Sequence, residues 1–294
     1  MKHPSRFCSR RQVLKTSAAF AGLAVAHPFT VFASDPAANY KVGACDWSIG
    51  MHSDVAAMKL AHEIGLDGVQ ISLGKIDNNM HLRSAEVQKA YLEAAREYEV
   101  AIAGIAIGEL NHVPYKSAPE TEAWVSSSID AAQALGCRVV LLAFFDQGDL
   151  HDDPAGQQEV IRRLKQVAPK AEQAGVILGI ESWLSADEHL AIIDAVGSEN
   201  VRVYYDLANS HKMGYDIYEE VARLGNEHIC EIHAKENGYL LGQGRIDFVR
   251  IRDILKDIGY DGWIIIEGAT PEGADITESY VANTRYVRSV FNAT

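Results

Sequence analysis

The chain has 294 residues, of which 27 are basic and 40 acidic, so its formal charge is −13. A surface this acidic repels phosphate backbones, which argues against general nucleic-acid binding. Apolar residues make up 48% of the chain, enough for a large core, and no stretch past residue 33 approaches the ~20 apolar residues of a membrane span. We therefore expect a soluble globular protein with no membrane span in its mature chain.

The first 33 residues predict an export signal. Residues 9–15, Ser-Arg-Arg-Gln-Val-Leu-Lys, resemble the twin-arginine signal, and a weakly apolar run and small residues near Ala33 follow. The segment has five basic residues and no acid, so residues 34–294 carry a net charge of −18. The pattern predicts a periplasmic or otherwise exported protein, with the twin-arginine export machinery as a partner.

Beyond residue 41 the chain alternates short apolar runs with longer amphipathic ones. The short runs are rich in Val and Ile and mostly lack polar alternation, which is typical of parallel strands covered on both faces. The predicted strands are Val42–Asp46, Gly68–Ser72, Val100–Ala106, Arg138–Phe144, Val176–Ile180, Val201–Tyr205, Ile229–Ile232 and Trp263–Ile266.

The longer runs place apolar residues at helical spacing, with Ser53 as the predicted N-cap of the first helix. The predicted helices are Asp54–Ile64, Ser84–Tyr98, Ala118–Leu135, Ala155–Ala174, Ala186–Val196, Asp216–Leu224, Asp247–Ile258 and Asp275–Phe291. Six of them stop at a glycine that can end a helix in the left-handed conformation. These glycines are Gly65, Gly136, Gly175, Gly197, Gly225 and Gly259.

Eight strand–helix units predict the fold class. They occupy 261 residues, about 33 per unit, close to the ~250-residue size of a (β/α)8 TIM barrel. A doubly wound open sheet is the alternative, but residues 45–48, Cys-Asp-Trp-Ser, lack the glycine fingerprint expected after its first strand. We see no interdomain linker, so we predict an α/β, single-domain TIM barrel over residues 34–294.

Ionisable residues stand at the ends of the last four predicted strands. They are Glu181, Asp206, His233 and Glu267, separated by 25, 27 and 34 residues. In such a barrel the carboxyl ends of the strands meet at one rim, where the catalytic groups lie. Taken singly, each residue would be read as a helix cap, an ion-pair partner or a core histidine. Their recurrence at four successive strand ends favours a shared metal site instead.

The residue types indicate which metal this site would hold. Ionised carboxylates that emerge from apolar strands repel one another and lose hydration, and a divalent cation among them removes both penalties. Two Glu, one Asp and one His suit Mn²⁺, Mg²⁺ or Co²⁺, and the imidazole nitrogen also allows Zn²⁺. We therefore expect one divalent ion per chain.

These residues resemble the Glu–Asp–His–Glu metal pattern of the xylose isomerase-like sugar isomerases and epimerases. Segments 205–209 (Tyr-Asp-Leu-Ala-Asn), 232–236 (Ile-His-Ala-Lys-Glu) and 242–248 (Gly-Gln-Gly-Arg-Ile-Asp-Phe) also resemble the family's motifs, and the resemblance spans residues 41–291. It implies a TIM barrel and a divalent ion, with Mn²⁺ as the first choice. It further implies that Glu181 and Glu267 are the acid/base pair as well as ligands, and that Asp206 and His233 are mainly ligands.

The chain departs from the family's ketose 3-epimerases at two positions. Those enzymes usually have a His three residues after the strand-six Asp and an Arg six residues after the strand-seven His, where this chain has Asn209 and Tyr239. Lys235 falls on the same side of its strand as the predicted His ligand, which makes it the best charged contact for a sugar. The predicted substrate-binding residues are Trp47, Glu109, Asn209, Lys235 and Arg245.

These observations predict a metal-dependent sugar isomerase or epimerase that moves a proton next to a carbonyl through an enediolate. Two alternatives stay open: a metal-dependent C–O lyase or hydrolase acting on an oxidised (keto) sugar or glycoside, and a non-catalytic exported sugar-binding barrel. The lack of an evident basic cluster favours neutral or oxidised sugars over phosphorylated ones. A homo-oligomer is compatible with the sequence, and one disulfide among Cys45, Cys137 and Cys230 stays open.

Overall fold

Short runs rich in Val and Ile form eight parallel strands that close into a barrel in chain order, with β1 paired to β8. The computed structural model describes residues 39–292, and the predicted export signal, residues 1–33, lies outside them. The closed barrel confirms the predicted TIM barrel and excludes the open sheet. The strands are β1 (Val42–Cys45), β2 (Gly68–Ser72), β3 (Ala101–Ile107), β4 (Val139–Phe144), β5 (Ile177–Ser182), β6 (Val201–Asp206), β7 (Ile229–Lys235) and β8 (Ile264–Glu267).

Helices alternate with the strands and cover the barrel. The sequence predicted eight of them, and the structure adds the short α6, which begins directly after β6. Within residues 39–292 three short 3₁₀ turns also occur, at His81–Arg83, Gly108–Asn111 and Asp146–Gly148. The α-helices are α1 (Ala56–Ile64), α2 (Ala85–Tyr98), α3 (Glu120–Leu135), α4 (Pro154–Ala174), α5 (Ala186–Val196), α6 (Leu207–Lys212), α7 (Ile217–His228), α8 (Phe248–Asp257) and α9 (Ile276–Phe291).

Two residues predicted to cap or end a helix do not do so in the structure. Ser53 does not cap α1: its φ is +61° and its backbone N–H donates to the Oδ2 of Asp46. The carboxylate of Asp54 instead accepts from the N–H of Ala56. Gly225 was expected to end a helix, but the chain continues in helical turns to His228 after a break there (φ 65°, ψ 176°). In both cases the local pattern predicted the region of the helix boundary but not its residue.

Apolar packing separates the barrel into two cores. A large core lies between the strands and the surrounding helices, and a smaller one fills the barrel interior. The interior core includes small residues such as Ala106 and Ala143, which leave space above them at the carboxyl ends of the strands. Its Cys45 and Cys230, together with Cys137, are buried free thiols. Over the described part of the chain, no helix has the length and hydrophobicity needed to cross a bilayer.

Candidate metal centre and active site

Four consecutive strands deliver the predicted ligands to one point. Glu181 lies in β5, Asp206 ends β6, His233 lies in β7 and Glu267 ends β8. The strand register places Asp206 beside His233. One ligand atom from each of the four side chains can be chosen so that all lie within 4.8 Å of one another. The barrel therefore brings the four residues together as a candidate metal-binding set.

The imidazole of His233 lies at the centre of this set. Its Nδ1 is 2.8 Å from Glu181 Oε1, 3.5 Å from Glu267 Oε2 and 3.9 Å from Asp206 Oδ2. The ring is fully buried. The nitrogen that faces the carboxylates is therefore Nδ1, which is the atom that could ligate a metal.

Lys235 adds a cation to the same cluster. Its Nζ lies 2.8 Å from Glu267 Oε2 and 3.3 Å from Asp206 Oδ2. The residue follows His233 by two positions in β7, so both side chains point to the barrel interior. The structure thus places the predicted sugar contact directly against two of the predicted ligands.

The pKa values in the cluster follow from burial and charge. Burial lowers the pKa of His233, but the surrounding carboxylates, Glu181 first, outweigh it and raise the pKa to about 9. Burial raises the pKa of Asp206 to about 7 although Lys235 opposes the shift. Burial also acts upward on Glu267, yet Lys235 and then His233 dominate and hold its pKa at about 2. The carboxylates of the cluster are therefore stabilised by the positive charges of His233 and Lys235.

The donor set fits a divalent cation. Among the described residues, Asp206 Oδ2 is buried without a hydrogen-bond partner, although the ammonium of Lys235 is within ion-pair distance. A buried carboxylate oxygen without a hydrogen bond is costly, and a bound cation would satisfy it. Three carboxylates and one imidazole are ligands that Mn²⁺, Mg²⁺, Co²⁺ or Zn²⁺ accepts.

A buried amide supports the far side of the His233 ring. Gln70 in β2 is fully buried, and its Oε1 lies 3.1 Å from His233 Nε2. Its Nε2 donates to the hydroxyl of Tyr204 at 2.9 Å, and the thiol of Cys45 donates to the same Oε1 at 3.3 Å. Metal-bound imidazoles usually donate their second N–H to such an acceptor, which fixes the tautomer. With a divalent ion among the carboxylates, Gln70 would therefore keep the N–H on Nε2 and leave the Nδ1 lone pair free to bind the ion.

Sequence reasoning missed Gln70 and also Glu231. Glu231 lies two residues before His233 in β7, fully inside the protein, and burial raises its pKa to about 8. Its Oε2 has no hydrogen-bond partner within residues 39–292. The signal that could have found both residues is a polar side chain inside a short apolar strand.

The ends of β1 and β5 are fixed by further hydrogen bonds. Trp47, just after β1, donates its indole N–H to Glu267 Oε1 at 3.0 Å.

After Glu181, the hydroxyl of Ser182 donates to Nε2 of His189 at 2.9 Å. The Nδ1–H of that ring donates to the carbonyl of Ser185 at 3.0 Å, and burial lowers the pKa of His189 to about 4. Neutral His189 therefore ties the end of β5 to the start of α5.

A cavity of about 1040 Å³ opens above the cluster. Pockets of roughly 300–1,000 Å³ hold drug-sized ligands, so a sugar fits easily. Glu181 and Glu267 line it, as do all five predicted substrate contacts, Trp47, Glu109, Asn209, Lys235 and Arg245. Their contacts with a sugar stay predictions.

The predicted contacts differ in how they are held. Asn209 is buried in α6, where its backbone N–H donates to Asp206 Oδ1 at 2.8 Å. Arg245 is exposed, and its backbone N–H donates to Glu236. Tyr239, at the position where the ketose 3-epimerases usually have Arg, also lines the cavity and is 51% exposed. The two positions that depart from the epimerase pattern therefore both border the cavity.

The barrel and the ligand set at its carboxyl rim define a TIM-barrel protein with a candidate metal centre. Residues 58–289 match the family described as xylose isomerase-like TIM barrel, so this chain belongs to that family. The resemblance seen in the motifs is thereby confirmed at the level of the family.

Proteins named as sugar epimerases are among the relatives. The putative L-ribulose-5-phosphate 3-epimerase SgbU of Escherichia coli K12 is 26% identical, over 78% of this chain and 88% of that protein. A crystal structure of D-psicose 3-epimerase in the presence of D-fructose has a TM-score of 0.73 at 18% identity, covering 86% of this chain and all of the other. The apo 3-keto-D-glucoside 4-epimerase YcjR of E. coli has a TM-score of 0.70 at 13% identity, covering 85% of this chain and all of the other. The two structural likenesses establish the fold alone.

Proposed function

We propose that this protein is a divalent-metal-dependent sugar epimerase or isomerase. The observation that carries the proposal is the convergence of Glu181, Asp206, His233 and Glu267 beneath a cavity large enough to hold a sugar. The names of the relatives support sugar epimerase chemistry. A divalent ion held by these residues, Mn²⁺ as first choice, would supply Lewis-acid stabilisation of the oxygen that becomes negative.

The chain's own residues provide the proton transfer. Glu181 and Glu267 belong to strands three positions apart in the barrel, so their carboxylates reach the cavity from different sides. One, as a carboxylate, removes the proton on the carbon beside the carbonyl, and the other, as a carboxylic acid, returns a proton, so the two groups exchange protonation states in each turnover. Return to the opposite face of that carbon gives an epimer, and return to the neighbouring carbon gives an isomer.

Neighbouring groups hold this geometry. The indole N–H of Trp47 fixes one oxygen of Glu267, and Lys235 fixes the other. The ammonium of Lys235 lies within the cluster, where it can donate to a sugar oxygen that gains negative charge. Trp47 also lines the cavity, where its indole can contact the apolar side of a sugar ring.

The test joins metal analysis to proton exchange. Purified protein should contain about one divalent ion per chain, and solvent deuterium should enter a ketose of a sugar panel. Glu181→Gln and Glu267→Gln should lower that exchange about 10²–10⁴-fold. Glu63→Gln, the same chemical change on the exposed face of α1, is the matched control and should leave exchange unchanged.

The outcomes separate the alternatives. Exchange that survives both glutamine variants contradicts the proposed acid/base pair. A product mass lower by a leaving group would identify the C–O lyase or hydrolase on keto sugars or glycosides, and tight sugar binding without exchange or turnover would identify a binding barrel.

We also propose export through the twin-arginine pathway. The supporting observation is the arginine pair, apolar run and small residues within residues 1–33. Fractionation of cells that carry the intact chain should find it outside the cytoplasm, and Arg10→Lys together with Arg11→Lys should retain it inside.

A further inference from the structure

Relatives of this chain are named for a phosphorylated ketose. A substrate of that kind needs free hydrogen-bond donors for its phosphate at the rim of the barrel. TIM barrels frequently bind phosphate at the loops after β7 and β8, where backbone N–H groups and helix N-termini converge. In this chain those positions carry carboxylates of the chain itself.

The loop after β7 offers the first such position. The backbone N–H groups of Arg245 and Ile246 point to one spot, and the carboxylate of Glu236 fills it. Glu236 accepts from Arg245 at 2.9 and 3.1 Å and from Ile246 at 2.9 Å. Its side chain is only 4% exposed although it lines the cavity. An internal anion therefore occupies the two donors.

Glycine at position 244 makes this contact fit. A Cβ placed on Gly244 would lie 1.8 Å from Glu236 Oε2, so a side chain there would expel the carboxylate. The backbone and the carboxylate approach so closely because residue 244 has no side chain. The loop is thus shaped around Glu236, and its N–H groups are unavailable to a ligand.

At the helix N-termini after β7 and β8, aspartate side chains of the chain itself also accept from backbone N–H groups. At the start of α8, Asp247 Oδ1 accepts from the N–H groups of Val249 and Arg250, both at 3.0 Å. At the start of α9, Asp275 Oδ1 accepts from Glu278 N–H at 2.8 Å. A phosphate near any of the three sites would meet a fixed negative charge instead of free donors.

We infer that this site selects an uncharged sugar over a sugar phosphate, and that Glu236 is the residue that excludes the phosphate. The inference rests on the proposed function for the reaction and adds the chemical class of the substrate. Cationic side chains do line the cavity, namely Lys212, Lys235 and Arg245. Lys235 is paired with the metal ligands, so it is committed to the reacting end.

The experiment compares matched pairs: D-fructose with D-fructose 6-phosphate, and L-ribulose with L-ribulose 5-phosphate. For each pair that exchanges deuterium, the uncharged sugar should have a kcat/KM at least about tenfold higher, a difference of ~1.4 kcal/mol. Glu236→Ala should reduce this preference at least about tenfold. Glu236→Gln keeps the volume without the charge and should fall between the two.

A binding measurement gives a readout that does not need turnover. Calorimetry with inorganic phosphate should detect no binding to the wild-type metal-loaded protein and detectable binding to Glu236→Ala. A purely structural role for Glu236 would instead lower kcat/KM equally for both members of a pair and create no phosphate binding, and that result overturns the inference.

Two further outcomes are distinguishable. A wild-type protein that prefers the phosphorylated sugar, or binds inorganic phosphate, overturns the selection of uncharged substrates while the epimerase proposal stands. If no sugar of the panel exchanges, the proposed function fails on this panel, and the phosphate calorimetry still decides whether Glu236 closes an anion site.

Discussion

The carboxyl rim of the barrel has two unlike halves. The half formed by β5–β8 carries all four candidate ligands and Lys235, so it is charged and dense in ion pairs. The half formed by β1–β4 contributes to the cavity small buried residues, Ala106 and Ala143, and partly exposed groups such as Glu109 and Trp47. One half thus holds the candidate ligands and the proposed acid/base pair, and the other leaves space in the cavity. The division is not complete, because Gln70 of β2 and Trp47 after β1 contact residues of the charged half.

Among the substitutions that test the difference between the two halves of the rim, the one at Lys235 should have the largest effect. Lys235→Met removes the ammonium beside Glu267 and Asp206, where negative charge develops on the substrate, so kcat/KM should fall about 10²–10³-fold. Kinetics and metal analysis on the same preparation check this, with bound metal expected to persist. Lys212→Met removes an exposed cation of the same cavity and should cost less than about tenfold. Equal effects of the two variants would contradict a special role for the paired lysine.

A substitution at Gln70 tests whether the β1–β4 half of the rim supports the charged β5–β8 half. Gln70→Leu has similar volume but no acceptor for the Nε2–H of His233, so the Kd for Mn²⁺ should rise about 10–100-fold. Calorimetric titration of metal-stripped protein measures it. Nitrogen NMR of the ring should show loss of the single Nε2–H tautomer. Cys45→Ala removes the other neighbour of Nε2 but keeps the acceptor, and its Kd should stay close to wild type. An unchanged Kd in the leucine variant would make Gln70 a packing residue.

His189 gives the smallest effect and concerns the support of β5. Its folded pKa of about 4 lies below the ordinary 6.5, so the unfolded chain binds more protons between these values. The free energy of unfolding should therefore fall as the pH drops, and the contribution of this residue from pH 7.5 to 5.5 is about 1.3 kcal/mol.

Denaturant unfolding of wild type and His189→Gln at the two pH values measures that contribution. The glutamine variant should be less stable at pH 7.5 and should lose about 1.3 kcal/mol less on acidification. A variant with the same pH dependence as wild type would show that His189 does not titrate in this range.

Much of the fold was predictable because the hydrophobic pattern of each strand and helix is a local property of the sequence. A run such as Val139–Phe144 is buried on both faces and reads as a strand without knowledge of its neighbours. The order of the units then places the last residue of each strand at one rim, so the four candidate ligands could be named from sequence. Strand ends were less certain: Glu181 and His233 lie inside β5 and β7, one and two residues before their ends.

The sequence by itself determined the barrel, the rim and the residue types of the candidate metal set, because hydrophobic period and strand–helix order are local properties. Only the tertiary structure decided which groups support that set. Gln70 and His233 are 163 residues apart, and Trp47 and Glu267 are 220 apart. The position of the Glu236 carboxylate in the loop after β7 depends on the close approach of the Gly244 backbone, which has no side chain. Such contacts depend on barrel closure and strand register, which set distances between residues that no local pattern links.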